Sequence, residues 1–443
     1  MGLLPCPLPG DSHATNSSED QSTLSIHLHS KSSSSLSSQS SLPTVPSLTP
    51  QQSQPLDQSP TPAHRCCVAT LSGHSSYVSS LALAGEFLYS GSSDGEVRAW
   101  NRSPPGSDAG HAVAAAAIST SAVKSVVASG DKLFTAHQDH KIRVWRIDAD
   151  GRYRLATSLP TLADRLARLF LAKNYVEVRR HKKCTWVHHV DAVSSLALTH
   201  DGSALYSASW DRSFKVWRVS DFRCVESVER AHDDAINAVV VSRDGLVYTC
   251  SADRKIKVWR KESHQRKHAL VATLERHRSA VNALALSEDC CILYSGACDR
   301  SILVWERVQD EGRRGKGTDG GVEGEHYMAV VGALRGHTKA VLCLAVAGDV
   351  VCSGSADHTV RVWRREGEDR SYSCLAVCEG HAKPVKCLAA SVDVDGDGEG
   401  SGSPSGSGTR YMVYSGGLDC KIKVWRIWVP PSLTLLTTSI CYA

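Results

Sequence analysis

The sequence predicts an all-β fold, a seven-bladed β-propeller preceded by a disordered N-terminal tail. Three observations carry that prediction. An Asp lies six residues before a Trp in seven separate segments, a hydroxyl residue stands four positions before each of those Asp residues, and the stretches between them alternate apolar and polar residues over strand-length runs. A chain of 443 residues would otherwise suggest about three domains of roughly 150 residues each, and an internal repeat overrides that expectation.

The segment ends are Asp94/Trp100, Asp139/Trp145, Asp211/Trp217, Asp253/Trp259, Asp299/Trp305, Asp357/Trp363 and Asp419/Trp425. The hydroxyls upstream of them are Ser90, Thr135, Ser207, Thr249, Ser295, Ser353 and Ser415. Six segments open with a His four residues before a branched aliphatic: His74, His189, His232, His277, His337 and His381, while the second carries Ser119 at that place. Runs such as Val78 to Leu83 (VSSLAL) and Ile256 to Val258 supply about three short strands between each His and Trp. A fourth fits after the Trp, as in Ala269 to Leu274 (ALVATL) or Met328 to Leu334 (MAVVGAL). The strand Cys66 to Leu71 (CCVATL) precedes the first His and reads like a fourth strand, so it is expected to complete the seventh blade and tie the chain ends together, which spares the ring an open edge.

The recurring residue types have a structural use. An Asp in a tight turn can accept a hydrogen bond from the His, the His can meet the hydroxyl, and the hydroxyl can meet the Trp indole N–H. A single His, Ser and Asp would look like a hydrolase triad; seven copies with a Trp at fixed spacing point to structure instead.

With these residues the chain resembles the WD40 family, whose repeats carry Gly-His near the start, a Trp near the end and about 40–45 residues per four-stranded blade. The residue after each Trp is Asn101, Arg146, Arg218, Arg260, Glu306, Arg364 or Arg426, never Asp. Family members that act as substrate receptors of one class of ubiquitin ligase often carry Trp-Asp-x-Arg there, so the departure weakens that alternative. The terminal tryptophans are separated by 45, 72, 42, 46, 58 and 62 residues, which places loop insertions in three repeats. The longest contains Thr161 to Trp186, where Leu162, Leu166, Leu169 and Phe170 fall at helical spacing, followed by a basic stretch at Arg179 to Lys183 (RRHKK). A helix packed on the propeller rim and a partner-docking element are both open readings of it. This insert, its position and the Ser-rich leader resemble plant WD40 proteins of the JINGUBANG type. The resemblance implies a regulatory role through protein binding in plant cells.

Residues 1–62 are dominated by Ser, Thr, Pro and Gln and hold too few large apolar side chains to offset the entropy of ordering, so disorder is expected there. The propeller is expected over 63–428, with low-complexity inserts at 309–326 and 392–410, and a further tail at 429–443. Asp393, Asp395, Asp397 and Gly398 copy the opening of a calcium-binding EF-hand loop, but Pro404 stands where the bidentate Glu is required. The start MGLLPCPLPG lacks the basic residues and unbroken apolar run of a secretory signal, and the sixteen cysteines include no Cys-x-x-Cys, so small thiols in a reducing compartment are expected. A cytoplasmic or nuclear location follows as the expectation.

Fifty Lys plus Arg against 46 Asp plus Glu leave a net charge of +4, too little to make nucleic acid a direct partner by default, although a nucleic-acid-associated regulatory factor stays an alternative. No apolar run reaches the roughly 18 residues of a membrane helix. No nucleotide-binding, nucleophile-elbow or metal-ligand spacing stands outside the repeat, so no catalytic residue, cofactor, metal or small-molecule substrate is expected. A non-catalytic scaffold that binds other proteins fits best. On such a scaffold partners usually meet the face bearing the His loops and tight turns, where Tyr77, Asp191, Trp210, Asp234, Lys339 and Lys383 are the candidate rim residues. Trp210 stands out because its counterparts are Ser93, Gln138, Ala252, Cys298, Ala356 and Leu418, and a large aromatic on a rim has the character of an interface hot spot.

Overall fold

The computed structural model describes residues 45–49, 65–102, 114–148, 151–166, 175–179, 182–261, 267–309, 326–366, 370–393 and 408–430. The chain enters through β1 (Arg65–Ser72) and builds the first blade from β2 (Val78–Ala84), β3 (Phe87–Ser92), β4 (Glu96–Asn101) and β5 (Ala114–Ile118). The second blade is β6 (Val123–Ser129), β7 (Lys132–His137), β8 (Ile142–Ile147) and β9 (Tyr153–Leu159). A short helix, α1 (Leu162–Leu166), and a hairpin of β10 (Tyr175–Arg179) and β11 (Lys182–Thr185) come next.

The third blade is β12 (Val193–Leu198), β13 (Ala204–Ser209), β14 (Phe214–Arg218) and β15 (Cys224–Val228); the fourth is β16 (Ile236–Val241), β17 (Val247–Ser251), β18 (Ile256–Arg260) and β19 (Ala269–Leu274). The fifth is β20 (Val281–Leu286), β21 (Ile292–Ala297), β22 (Ile302–Gln309) and β23 (His326–Leu334); the sixth is β24 (Val341–Ala347), β25 (Val350–Ser355), β26 (Val360–Glu366) and β27 (Ser371–Cys378). The seventh joins β28 (Val385–Val392), β29 (Thr409–Gly417) and β30 (Lys421–Val429) to β1, in the order β1-β30-β29-β28. The fold is therefore a seven-bladed propeller, and β1 runs antiparallel to β30 from Arg65 opposite Ile427 to Ser72 opposite Lys421.

The first strands of the blades form the inner ring: β2, β6, β12, β16, β20, β24 and β28 each touch the next, and β28 returns to β2. In every blade the pairing of the first two strands slips once, immediately after the branched aliphatic, at Ser79, Lys124, Ser194, Asn237, Asn282, Leu342 and Lys386. A bulge re-aims its side chain, and here most are aimed at the neighbouring blade. Ser79 donates to the Val123 carbonyl at 2.6 Å, Ser194 to Ile236 at 2.6 Å, Asn237 to Val281 at 2.8 Å and Asn282 to Val341 at 2.8 Å. In the last two blades the next residue does the same work with a thiol, Cys343 to Val385 and Cys387 to Val78. These two cysteines, like Cys250 and Cys352, are buried free thiols, and burial pushes Cys343 up to about 12.

The second strands β17, β21 and β25 are buried along their whole length, which is why they read as continuous small and apolar residues. Seven apolar clusters lie among the described residues, each between two adjacent blades. One joins Ile292 and Tyr294 to Trp363 and Tyr372, and another joins Leu71, Val78 and Trp100 to Tyr414 and Ile422. No blade buries its faces alone, so the ring folds as a unit.

Two expectations are corrected. The tail is not featureless to residue 62: Val45 to Thr49 lies along β23, with Ser47 bridged in parallel to Ala333, because Leu48 settles over the bare backbone of Gly332. The rest of the tail, residues 1–44 and 50–64, lies outside the described residues, as do 310–325, 394–407 and 431–443. Helix α1 also does not pack on the rim through leucines. Leu162 and Leu166 are 63% and 50% exposed, and Asp164 is the residue turned inward, where its carboxylate accepts the Cys224 backbone N–H at 2.9 Å. Leu169 and Phe170 lie outside the described residues. No helix among the described residues is long and apolar enough to cross a membrane.

If β1 closes the ring, Leu71→Ala, which opens a cavity between the first and last blades, lowers unfolding free energy by about 2–4 kcal/mol. Urea titration followed by tryptophan fluorescence checks this, and an unchanged midpoint would remove β1 from the closure.

Candidate functional site

Each blade contains one chain of polar groups between its loop and its third strand. In the third blade His189 Nδ1 donates to Asp211 at 2.9 Å, His189 Nε2 accepts the Ser207 hydroxyl at 2.8 Å, and the same oxygen accepts the Trp217 indole N–H at 2.8 Å. The carboxylate can only accept, which places the proton on Nδ1 and leaves Nε2 for the hydroxyl. The same chain holds His232, Asp253, Thr249 and Trp259 at 2.8, 2.8 and 2.9 Å. It recurs in His277, Asp299, Ser295 and Trp305, in His337, Asp357, Ser353 and Trp363, and in His381, Asp419, Ser415 and Trp425, with every link between 2.8 and 3.0 Å.

Each Asp holds its turn as well. Asp211 accepts the backbone N–H of Ser213 two residues on, and the residue between them, Arg212, takes φ 69°. The corresponding residues Gly95, His140, Arg254, Arg300, His358 and Cys420 are left-handed too, the conformation that such side-chain turns impose.

The first two blades depart from the pattern. His74 Nε2 meets Ser90 at 2.8 Å and Trp100 meets Ser90 at 2.7 Å, but His74 Nδ1 stands 3.4 Å from Asp94. His74, Asp94 and Glu96 could crowd a cation, yet Glu96 is already held by Arg98 at 2.8 Å. In the second blade Ser119 does not replace the missing loop histidine. His137 does, from β7 itself: its Nε2 meets Thr135 at 2.7 Å, its Nδ1 donates to the Ser121 carbonyl at 3.0 Å, and Trp145 donates to Thr135 at 2.9 Å. Asp139, freed from the histidine, is gripped by Arg143 at 2.7 Å. The signal was present in the sequence, because His137 stands where the other blades carry Ser92, Ser209, Ser251, Ala297, Ser355 and Gly417.

Burial disfavours the charged form of three of these histidines. It lowers His189 and His381 below 6.5 and takes His137 to about 4. For Asp211, Asp299 and Asp357, burial pushes upward, but the partner histidine and the hydrogen bonds at the turn outweigh it and leave each carboxyl below the usual range. Every His, hydroxyl and Asp of the apparent triads is thus spent inside a blade, with no hydroxyl turned outward to attack a substrate.

What differs between blades sits above this frame, on the loop face. At the top of each blade the residue before the branched aliphatic accepts, through its carbonyl, the N–H of the residue before the turn Asp: Tyr77 from Ser93, Ala122 from Gln138, Ala192 from Trp210, Ala235 from Ala252, Ala280 from Cys298, Ala340 from Ala356 and Pro384 from Leu418. At these paired positions only two aromatics occur, Tyr77 in the first blade and Trp210 in the third. Lys124, the bulge residue of the second blade, joins them. Its ammonium lies 5.3 Å from the centre of the Trp210 ring and donates to the Tyr77 hydroxyl at 3.4 Å. Trp210 is half-buried rather than free, because the cation rests on its face.

Asp191, Asp234, Lys339 and Lys383 stand one residue earlier in their loops than Tyr77. The carbonyls of Asp191, Asp234 and Lys339 accept Ser209, Ser251 and Ser355 hydroxyls at 3.0–3.2 Å. Asp234, Lys339 and Lys383 are exposed, and Asp191 is half-buried. The structure thus brings Tyr77 and Trp210 together through Lys124, a residue the motif pattern alone did not single out, and shows no direct contact from the four charged residues to that cluster.

Two expectations follow. Trp259→Phe keeps an aromatic side chain but removes the N–H that binds Thr249 and part of the buried ring, and is expected to cost at least about 1–3 kcal/mol in a urea titration; wild-type stability would make the chain dispensable. Because His137 is held neutral, its contribution is complete above pH 6.5 and is lost as pH falls toward about 4, where the unfolded chain takes up a proton that the fold refuses, a difference worth about 3 kcal/mol. Below pH 3.8 protonation of the depressed Asp carboxyls adds to the loss. Melting temperatures of wild type and His137→Gln between pH 7 and 4 check the sign: the variant, less stable at pH 7, is expected to lose less on acidification.

Comparison with known proteins places this geometry. The model of the family described as "WD domain, G-beta repeat" matches residues 65–101, 181–218, 222–260, 268–306, 328–364 and 372–426, together more than half of the chain, and passes over the second blade, whose histidine comes from the strand. Among curated proteins the chain is 26% identical over 175 residues to the zinc finger CCCH domain-containing protein 62 of Arabidopsis thaliana, covering 40% of this chain and 37% of that one. It is 30% identical over 227 residues to a ribosome biogenesis protein WDR12 homolog of Chlamydomonas reinhardtii, covering 46% and 50%. It is 28% identical over 192 residues to the protein ROOT INITIATION DEFECTIVE 3 of Arabidopsis thaliana, covering 40% of each. The chain thus spans half or less of the length of these relatives. WD40 propellers generally mediate protein interactions and are typically non-catalytic. With seven four-stranded blades, five of them holding the full polar chain, and the family model matched over more than half of its length, the chain belongs to the WD domain, G-beta repeat family.

Proposed function

We propose that this chain is a non-catalytic scaffold that holds partner proteins on its loop face through Tyr77, Lys124 and Trp210. The observation that carries the reading is the pairing of the two aromatics with one cation across three adjacent blades, at positions where the other blades carry small or aliphatic residues or Gln. A half-buried Trp with its ring pinned in place loses little conformational freedom on binding, and anchors of this kind dominate interface energies. The consumption of every tetrad hydroxyl inside a blade supports the non-catalytic half of the proposal.

The finer assignment, a regulatory adaptor of the JINGUBANG type in plant cells, in the cytoplasm, the nucleus or both, rests on the insert between the second and third blades and on the plant origin of two of the relatives above. Part of the basic run after α1 lies in the hairpin of β10 and β11, where Glu177 and Lys183 pair in register.

Affinity capture from plant extract with wild type beside Trp210→Ala and Tyr77→Ala, all three melting alike, tests the site. A defined set of proteins held at least tenfold more weakly by both variants is expected, about 1.4 kcal/mol or more. Equal capture by all three would move the interface elsewhere.

A further inference from the structure

Among the described residues, one segment from outside the blades sits against an outer strand. Between the fifth and sixth blades, Val45 to Thr49 (VPSLT) lies along β23 through one parallel bridge, Ser47 to Ala333. The Leu48 N–H donates to the Ala333 carbonyl at 2.9 Å, and the Ala333 N–H donates to the Pro46 carbonyl at 2.9 Å. From the other side the Tyr372 N–H of β27 donates to the Leu48 carbonyl at 3.0 Å, so the segment stitches two blades together. Arg335 adds a bond to the Val45 carbonyl at 3.2 Å. Val45 and Leu48 turn inward onto the clusters on either side of the fifth blade, while Pro46 and Ser47 face solvent.

The groove is shaped for that side chain. A Cβ on Gly332 would lie 2.4 Å from the Leu48 side chain, so only a glycine admits it. Opposite the residue before the blade Trp, Gly332 faces Val304; the other blades place Thr157, Glu226, Ala272, Ala376, Ala69 and Ala114 there. The fifth blade alone has the opening. Backbone pairing to an exposed strand, with pockets that take particular side chains, is a general mode of peptide recognition.

We propose that this groove is a docking site for an extended peptide of the pattern Val-Pro-x-Leu, that Val45 to Thr49 is its ligand in cis, and that a partner segment of the same pattern enters by displacing it. Few contacts hold the segment, so its occupancy rests on tethering. Fifteen residues separate Thr49 from Arg65, so the segment competes as an intramolecular ligand, at an effective concentration that a free peptide must exceed. A partner segment competes once its own concentration or an additional contact on the loop face exceeds that value, which makes the leader a threshold on access to this side of the ring.

Two full-length variants separate the parts. Leu48→Asp empties the groove without touching the propeller, and Gly332→Ala closes it with the residue that Ala272 and Ala376 already supply in neighbouring blades. In hydrogen exchange, wild type is expected to protect the amides of Leu48, Ala333 and Tyr372, and both variants to lose at least tenfold of that protection with unchanged melting temperature. A fluorescent peptide of residues 43–51 is expected to bind Leu48→Asp saturably, Gly332→Ala not at all, and wild type at least tenfold more weakly than Leu48→Asp. Protection at Ala333 and Tyr372 that is the same in wild type and Leu48→Asp, or a peptide that binds no chain or all three alike, would overturn the proposal.

Discussion

The structure depends on a single hydroxyl oxygen in each blade. A Ser or Thr side chain can accept one hydrogen and donate another, and here it accepts from a Trp indole and donates to a His ring, which puts two strands and a loop on one buried atom. Because the oxygen lies in the dry interior, both bonds are strong and neither can be traded for water. In five blades the histidine then carries the constraint outward to the Asp of the turn, so the position of the turn is set from inside the blade. An interaction surface made of loops would otherwise pay for its own ordering each time a partner bound.

The frame repeats, but its joints are not built from one residue type. Ser, Asn and Cys all carry a donor from one inner strand to the next blade's carbonyl; what the joint requires is a hydrogen at that place, not a particular chemistry. The second blade shows the same tolerance within the tetrad, where a histidine from the strand does the work of one from the loop. Lys124, like Leu342 and Lys386, is a bulge residue that makes no such joint, and its ammonium reaches the rim. There Ser125 serves the second joint instead, accepting the Leu196 N–H at 3.1 Å.

Near-symmetry also makes departures conspicuous. A Trp where six sister positions are smaller, a Tyr where six are Ala or Pro, and a glycine where six carry a side chain each break the pattern. Tyr77 and Trp210 lie on the loop face, and Gly332 lies beneath Leu48 on the side. The scaffold reading and the side-groove proposal both come from this comparison of blades with one another.

The amino-acid sequence alone determined the number of blades, the members of six of the seven tetrads and the strand that closes the ring, because these depend on local spacing that repeats. Asp and Trp six residues apart place a turn and a strand regardless of what surrounds them. Tertiary structure decided the rest. His137 replaces the missing loop histidine because a ring nitrogen can reach Thr135 from either side of the blade. Lys124 meets Tyr77 and Trp210 because the ring sets three blades side by side, and Asp164 rather than a leucine turns inward because a backbone N–H at Cys224 awaits it. Leu48, far from β23 in sequence, finds Gly332 because the absence of one Cβ matters only once two distant segments are brought within van der Waals contact. Spacing encodes what lies within a blade; contact across blades is set by the closed ring.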